Sequence, residues 1–204
     1  MSQRRSETDA YGWRTDTKTL DTEGDYRYLL RRTREGGDGS HLMIVGLNPS
    51  NAGQEDDPHK PDNTVQVVER WASRIGRKFG ALPLVHAYSA ITFVNLFAWR
   101  HAVPEELDLV FSDRDVDAVG PRNLLAIGFV LEEPPNTVVV AWGDAEDVTD
   151  QAEVAKQIQA VETVLAGQVI EQVGTLTRQG RPRHGRSWQF KPCDGLLRPY
   201  PSVV

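Results

Sequence analysis

The sequence predicts a single α/β domain: a mostly parallel central sheet of four to five strands with helices packed on both faces. Three observations carry this. Short apolar runs bounded by turn residues recur down the chain, stretches of helical apolar spacing fall between them, and 204 residues fill one core with no visible linker. A strand that reaches its neighbour through a helix returns parallel to it, and such crossovers cover both faces of the sheet.

Residues 1–24 mix charge, Gly and Thr with little periodicity and read as a poorly ordered arm, leaving 25–204 as the folded domain. Tyr26, Tyr28 and Leu30 alternate with Arg27, Leu29 and Arg31, which suits a half-exposed edge strand. Beyond a Gly-rich turn at 35–39, the run Leu42-Met43-Ile44-Val45-Gly46-Leu47 is continuously apolar, as expected of a strand covered on both faces at the centre of the sheet. Residues 48–61 form a long loop containing Pro49, Gly53, Pro58 and Pro61, and loops of that length are uncommon unless they bind something. Asp62 or Asn63 then caps a helix with Val65, Val68, Ala72 and Ile75 on one face.

Residues 91–98 read as a second buried strand. Gly120-Pro121 opens a helix whose apolar content is Leu124, Leu125, Ile127 and Phe129. The β-branched run 137–143 is a third strand. Val154, Ile158, Val161 and Leu165 mark the last long helix, ended by Gly167, and Val169-Ile170 begin a fourth strand.

Composition narrows the function classes. Hydrophobic residues at 39% and charged residues at 25% are ordinary for a globular protein, and no apolar run approaches the ~20 residues of a membrane span. The polar start, Met1 to Asp9, lacks the apolar core of a signal peptide, which predicts a cytoplasmic protein without a membrane partner. The single cysteine, Cys193, makes no internal disulfide, and no Cys/His cluster has zinc spacing, so neither metal nor cofactor is expected. A phosphate-binding Gly-Lys-Ser/Thr loop, a dinucleotide Gly-x-Gly-x-x-Gly, a zinc deaminase signature and a Gly-x-Ser-x-Gly elbow are all missing.

The net charge of −6 argues against a surface built wholly for nucleic acid, yet Arg178, Arg181, Arg183, Arg186, Lys191 and Arg198 crowd a stretch whose single acid is Asp194. That stretch is either a local phosphate-contacting rim or a solvated loop.

Ligands of parallel sheets bind beyond the carboxyl ends of the strands. There the segment Gly46-Leu47-Asn48-Pro49-Ser50 is informative, because Pro49 restricts Asn48 to an extended conformation and so holds its amide stiffly at the sheet's edge. A stiff amide positions water. Asp56-Asp57-Pro58-His59 adds two carboxylates and an imidazole to the same loop; the alternative is a turn closed by Asn48 with the acids in solvent.

Several segments together resemble one family. Tyr26-Arg27-Tyr28-Leu29-Leu30, Ile44 to Ala52, Asp56-Asp57-Pro58, Val94 to Arg100, Asp117 to Asn123 and Ala141-Trp142-Gly143 look like the pattern of the domain of unknown function 1643, in register from about Tyr26 to His184. A more distant resemblance suggests a chemistry. Gly46-Leu47-Asn48-Pro49 is similar to the Gly-Ile-Asn-Pro motif of the mismatch-specific branch of the uracil-DNA glycosylase superfamily, and Phe93-Val94-Asn95 to that superfamily's second Asn-bearing strand. Val138 to Gly143 sits where that fold has a strand ending in Gly, and Arg183-His184 falls near its C-terminal His-Pro-Ser loop, although Gly185 stands in place of the proline.

The resemblance implies a three-layer α/β/α sandwich of uracil-DNA glycosylase type that recognises a nucleobase in DNA or a nucleotide and hydrolyses an N-glycosidic bond without metal. In that reading Asn48 orients the attacking water, Asp57 helps activate it or stabilises the sugar cation, and His184 stabilises the departing base. Asn95 reads the edge of an extruded base. Gly46, Leu47, Pro49, Ser50, Phe97, Arg100, Trp142, Gly143 and Arg183 complete the expected substrate surface, with Trp71 and Trp99 as further stacking candidates. Two alternatives stay open: a non-catalytic nucleic-acid- or partner-binding module on the same fold, and an enzyme acting on a free nucleotide or small metabolite.

Overall fold

The computed structural model describes residues 12–35, 39–50, 52, 60–78, 88–101, 106–113, 116–135, 137–146, 148–191 and 193–201. Among them the chain forms strands β1 (Trp13–Thr15), β2 (Asp21–Glu23), β3 (Tyr26–Arg34), β4 (His41–Gly46), β5 (Ala90–Asn95), β6 (Thr137–Val140), β7 (Ile170–Val173) and β8 (Leu197–Pro199). Helices α1 (Asn63–Lys78), α2 (Glu106–Ser112), α3 (Asn123–Glu132) and α4 (Gln151–Val164) alternate with them, and a 3-10 turn spans Gly185–Gln189.

The strands make one sheet in the order β1-β3-β5-β4-β6-β7-β8, with β2 also paired to β3. Its centre, β5-β4-β6-β7, is parallel throughout, as strands joined through helices require. Its margins are not. β3 runs antiparallel to β5, β1 and β2 run antiparallel to β3, and β8 runs antiparallel to β7. The sheet is therefore mixed and eight-stranded, larger than the mostly parallel four to five strands expected. The additional strands β1, β2 and β8 have three residues each, too short for alternation to show in a sequence.

β3 is an interior strand, not an edge: Tyr28, Leu29 and Leu30 are all buried. What covers it comes from residues 13–23, part of the stretch read as a poorly ordered arm, where Trp13 is fully buried. β1 is tied down by charge as well as by its ladder. Arg32 on β3 donates from Nε to Glu69 Oε1 of α1 at 2.6 Å and from Nη1 to Thr15 Oγ1 at 2.8 Å, and both charged groups are buried.

Strand alternation divides the core between the two faces. Met43 and Val45 point to the side packed by α2, α3 and α4, through residues such as Leu107, Ile127 and Val161. Leu42 and Ile44 point to the other, where Val65, Val68 and Ala72 of α1 pack with Trp188 of the 3-10 turn. Each such aliphatic side chain, fully buried, contributes about 1.5–3 kcal/mol before entropy is counted.

The helix ends follow local chemistry. Asp62 caps α1, accepting from the Val65 N–H at 2.8 Å, and Asp150 caps α4, accepting from the Glu153 N–H at 3.0 Å. α3 begins at Asn123, two residues beyond Pro121, because Gly120 to Arg122 form a turn ahead of it. Of its expected apolar contacts Ile127 is buried, while Leu125 and Phe129 are 74% and 67% exposed on its outer face. No helix among the described residues is long and apolar enough to cross a membrane.

Removing one partner of a buried ion pair strands the other charge in a low dielectric. Glu69→Ala is expected to lower the unfolding free energy by about 3–5 kcal/mol, and Arg32→Met with Glu69→Leu by much less than the two single losses together. Urea unfolding of Glu69→Ala, of Arg32→Met and Glu69→Leu singly and of the double variant checks this; additive losses in the double would show that the pair is not coupled.

Candidate functional site: a cleft at the carboxyl ends of the parallel strands

The chain leaves β4 for β5 on one side and later crosses to β6 on the other, so the connections after β4 and β6 part and a crevice opens between them. A cleft of about 120 Å³ occupies that position. Its size is close to the ~150 Å³ of a protein cavity known to hold one benzene ring. Ile44, Leu47, Val65 and Phe93 give it apolar walls; Asn48, Asn95, His101, His184 and charged groups give it polar ends.

Two strand ends meet at its base. Gly46 and Asn95 are register partners across β4 and β5, and an ideal Cβ at Gly46 would lie 2.7 Å from Asn95 Oδ1, well inside contact distance. Glycine is therefore needed here for space. Asn95 is 6% exposed, and its Nδ2 is sealed from solvent without a partner among the described residues. Beside it Asn48 is held by its own amide: Nδ2 donates to the His101 carbonyl at 2.8 Å, and the His101 N–H returns to the Pro49 carbonyl at 2.9 Å. With Nδ2 committed, the amide of Asn48 keeps Oδ1 as an acceptor.

Arg27 of β3 reaches the same place. Its guanidinium, 3% exposed, donates from Nη1 to the Ala52 carbonyl at 2.6 Å and to the Ser50 carbonyl at 3.4 Å, tying the loop after β4 to the sheet. Burial pulls its pKa down to about 10, opposed by the negative charge of Asp62 and assisted by the positive charge of Arg100. It stays charged at neutral pH. The Asp62 carboxylate, besides capping α1, accepts from the Ser50 hydroxyl, so both its oxygens are engaged.

His184 closes the far side. It precedes the 3-10 turn, whose Arg186 N–H donates to His184 Nδ1 at 3.3 Å, so in the neutral ring the proton sits on Nε2. Burial lowers its pKa below 6.5, Asp62 acting against that shift and Arg186 with it. The imidazole is a neutral donor at pH 7. Its position depends on two glycines: Gly143, at φ +75°, has the space for a Cβ filled by His184 Cβ at 2.9 Å, and Gly185 lets the turn pack against Val68 and Thr64 of α1. Proline at 185 would add atoms where α1 already stands.

Of the residues expected at the site, Gly46, Leu47, Asn48, Ser50, Asn95 and His184 line this one cleft. Pro49 and Gly143 support it from behind through the His101 and His184 contacts. Asp57 lies outside the described residues. Phe97 and Trp142 do not reach the cleft: both are fully packed in the core, against Phe111 and Tyr200. Trp71 packs on Trp188 and Trp99 on Tyr26, so the aromatic side chain in the cleft wall is Phe93. Arg183 turns toward Thr175, and Arg100, which does not line the cleft, places its charge on Arg27. Within the C-terminal basic stretch, Arg186 is the arginine that lines the cleft.

Sequence reasoning missed Arg27, Asp62 and His101 as site residues, while Arg186 was expected there only as one of a rim of arginines. Arg27 reads as the polar side of a half-exposed strand and Asp62 as a helix cap; the cap is correct and gives no sign that its carboxylate also faces a cleft.

The fold and cleft define an α/β protein with a strand-end cleft lined by amides, two histidines and a buried arginine. The chain belongs to the family described as protein of unknown function (DUF1643), which it matches over residues 27–185, from the buried arginine to the glycine after His184. No curated protein and no solved structure matches it.

A histidine whose pKa falls on folding takes up its proton more readily in the unfolded chain, so its stabilisation is complete above pH 6.5 and is lost as pH falls through that window. His41, lowered to about 4 by burial and by Arg31, acts with the same sign. Unfolding free energy is expected to rise from about pH 4 to pH 6.5, and His184→Asn to flatten that rise in part. Urea titrations at stepped pH measure it, and an unchanged slope in the variant would contradict the neutral, half-buried imidazole.

Proposed function

We propose that this protein recognises a nucleobase in DNA or a nucleotide and hydrolyses its N-glycosidic bond without metal. The observation that carries the reading is the convergence of Asn48, Asn95 and His184, contributed by distant parts of the chain, on one ring-sized cleft. Helices on both faces of a four-stranded parallel core support the three-layer, uracil-DNA glycosylase-like architecture that this chemistry uses.

Breaking the bond needs a positioned water at the sugar and a donor at the departing base. Asn48 Oδ1 accepts a hydrogen bond from the water and orients its lone pair toward the sugar carbon. As the carbon–nitrogen bond breaks, its electron pair passes to the base, the water oxygen bonds to the sugar carbon, and the proton that this water releases passes to bulk solvent. His184 Nε2–H donates to the base, and Asn95 contacts its edge. Asp62 places a carboxylate in the same cleft, suited to the positive charge that develops on the sugar. Asp57 retains the role drawn from the resemblance.

A free nucleotide is the second reading, favoured by one observation: most of the basic stretch lies away from the cleft, which leaves a short cationic rim for a long duplex.

The intact protein, incubated with oligonucleotides carrying uracil, hypoxanthine, thymine mismatches or bulky modified bases, and separately with nucleoside monophosphates, is expected to release base from at least one. Alkali-labile sites and free base are the readouts. Asn48→Ala should slow release by about 100-fold or more. No release from any substrate rejects the hydrolase, and release by the variant at the parent rate removes Asn48 from the chemistry.

A further inference from the structure

Two donors on side chains that line the cleft have no acceptor. Asn95 Nδ2 and Arg27 Nε are both shut off from solvent and unpartnered among the described residues, on side chains that are themselves more than nine-tenths buried. Leaving one such donor unsatisfied is costly, and a guanidinium is costlier than an amide. Arg27 is also short of countercharge. Asp62 influences it through space, but both carboxylate oxygens already serve the Ser50 hydroxyl and the first turn of α1. Arg100 adds a like charge, and Arg186 stands on the same cleft.

The shape of the missing partner follows from the walls. Ile44, Leu47, Val65 and Phe93 present apolar surface, which suits the faces of a flat ring. A tetrahedral phosphate, hydrated on every side, would lose that hydration against them with nothing in return. A guanidinium and a carboxamide are planar groups and meet the edge of a planar ligand.

We propose that the cleft binds a planar, single-ring heterocyclic anion, of the class formed when a cyclic imide or lactam loses its proton, with Arg27 as its countercharge. This rests on reading the cleft as a nucleobase site and goes beyond it: the base is held as an anion, and the charge that holds it comes from β3, not from His184. Arg27 thereby selects bases that leave as stable anions. The same buried charge explains why its guanidinium is kept at the floor of a cleft when a neutral side chain would tie the loop with less desolvation.

The test uses the intact protein and free rings, so no bond needs to be broken. Uracil and 5-fluorouracil, nearly equal in size but with the fluorinated imide more acidic, are titrated calorimetrically at steps from about pH 7 to about pH 9, with inorganic phosphate as a separate arm. His184 is neutral across this range and Arg27 charged. Asp62, Arg100, His101 and Arg186 also surround the site, and comparing the two rings at each pH cancels any titration of theirs.

5-Fluorouracil is expected to gain on uracil as pH rises, reaching about tenfold tighter binding, with Arg27→Met abolishing the preference and Arg27→Lys keeping most of it. Equal affinities at every pH, a preference intact in Arg27→Met, binding of neither ring, or phosphate binding more tightly than either ring would each overturn the proposal. If Arg27→Met does not fold, the pH comparison on the parent protein decides alone. Anion binding without base release from DNA would leave this inference standing and remove the hydrolase; release without anion preference would do the reverse.

Discussion

The absence of a side chain at Gly46 is the constraint on which the site depends. Parallel pairing sets Gly46 beside Asn95, and the amide oxygen of Asn95 lies 2.7 Å from where a Cβ would be. A methyl group there would push either the amide or the strand. The next residues, Leu47 and Asn48, leave the sheet in a direction set by that close approach, and backbone bonds from Leu96 N–H to the Gly46 carbonyl and from Phe97 N–H to the Leu47 carbonyl carry the pairing past the end of the ladder. Asn48 and Asn95 are thereby held side by side by main-chain geometry, at little cost in side-chain entropy.

Around this fixed pair the remaining groups come from elements of other kinds. Arg27 comes from an antiparallel strand, Asp62 from a helix cap and His184 from the residue preceding a 3-10 turn. Each is secured by a main-chain contact: Arg27 by the Ala52 carbonyl, Asp62 by the Val65 N–H, His184 by the Arg186 N–H and the close approach of Gly143. Such main-chain support is what keeps a polar site preorganised when it is empty of substrate. It also decides protonation. The neutral His184 and charged Arg27 follow from burial and neighbouring charge, and give the cleft hydrogen-bond donors for an electron-rich ring.

The antiparallel margins contribute to this indirectly. β3 is positioned between β5 and the short strands β1 and β2, and the buried Arg32–Glu69 pair couples it to α1. α1 in turn carries Asp62 at its start and seats the 3-10 turn through Val68 and Thr64. One side of the cleft is thus connected to the other through buried polar bonds and a packed helix.

How much of this is legible without coordinates follows from the range of the interactions involved. The four parallel strands, α1, α3 and α4 are read from apolar runs and periodicity, because burial on both faces and a 3.6-residue repeat are local properties of a chain. The strand-end segment 46–50 is visible for the same reason: a proline after an asparagine at the end of an apolar run restricts its neighbours whatever lies around them. Three-residue strands leave no such trace, and Arg27, alternating with aromatic residues, has the pattern of a surface position. Its burial depends on β1 and β2 covering β3 and on β3 pairing with β5, contacts between segments far apart in the chain. By itself the amino-acid order determined the alternation of strands and helices and the stiff amide at the end of the central strand. Only the tertiary structure decided that a buried arginine, a helix-cap carboxylate and a distant imidazole share one cleft with it, because sheet order and the close approach of glycine backbones are set by packing between segments, which no local pattern encodes.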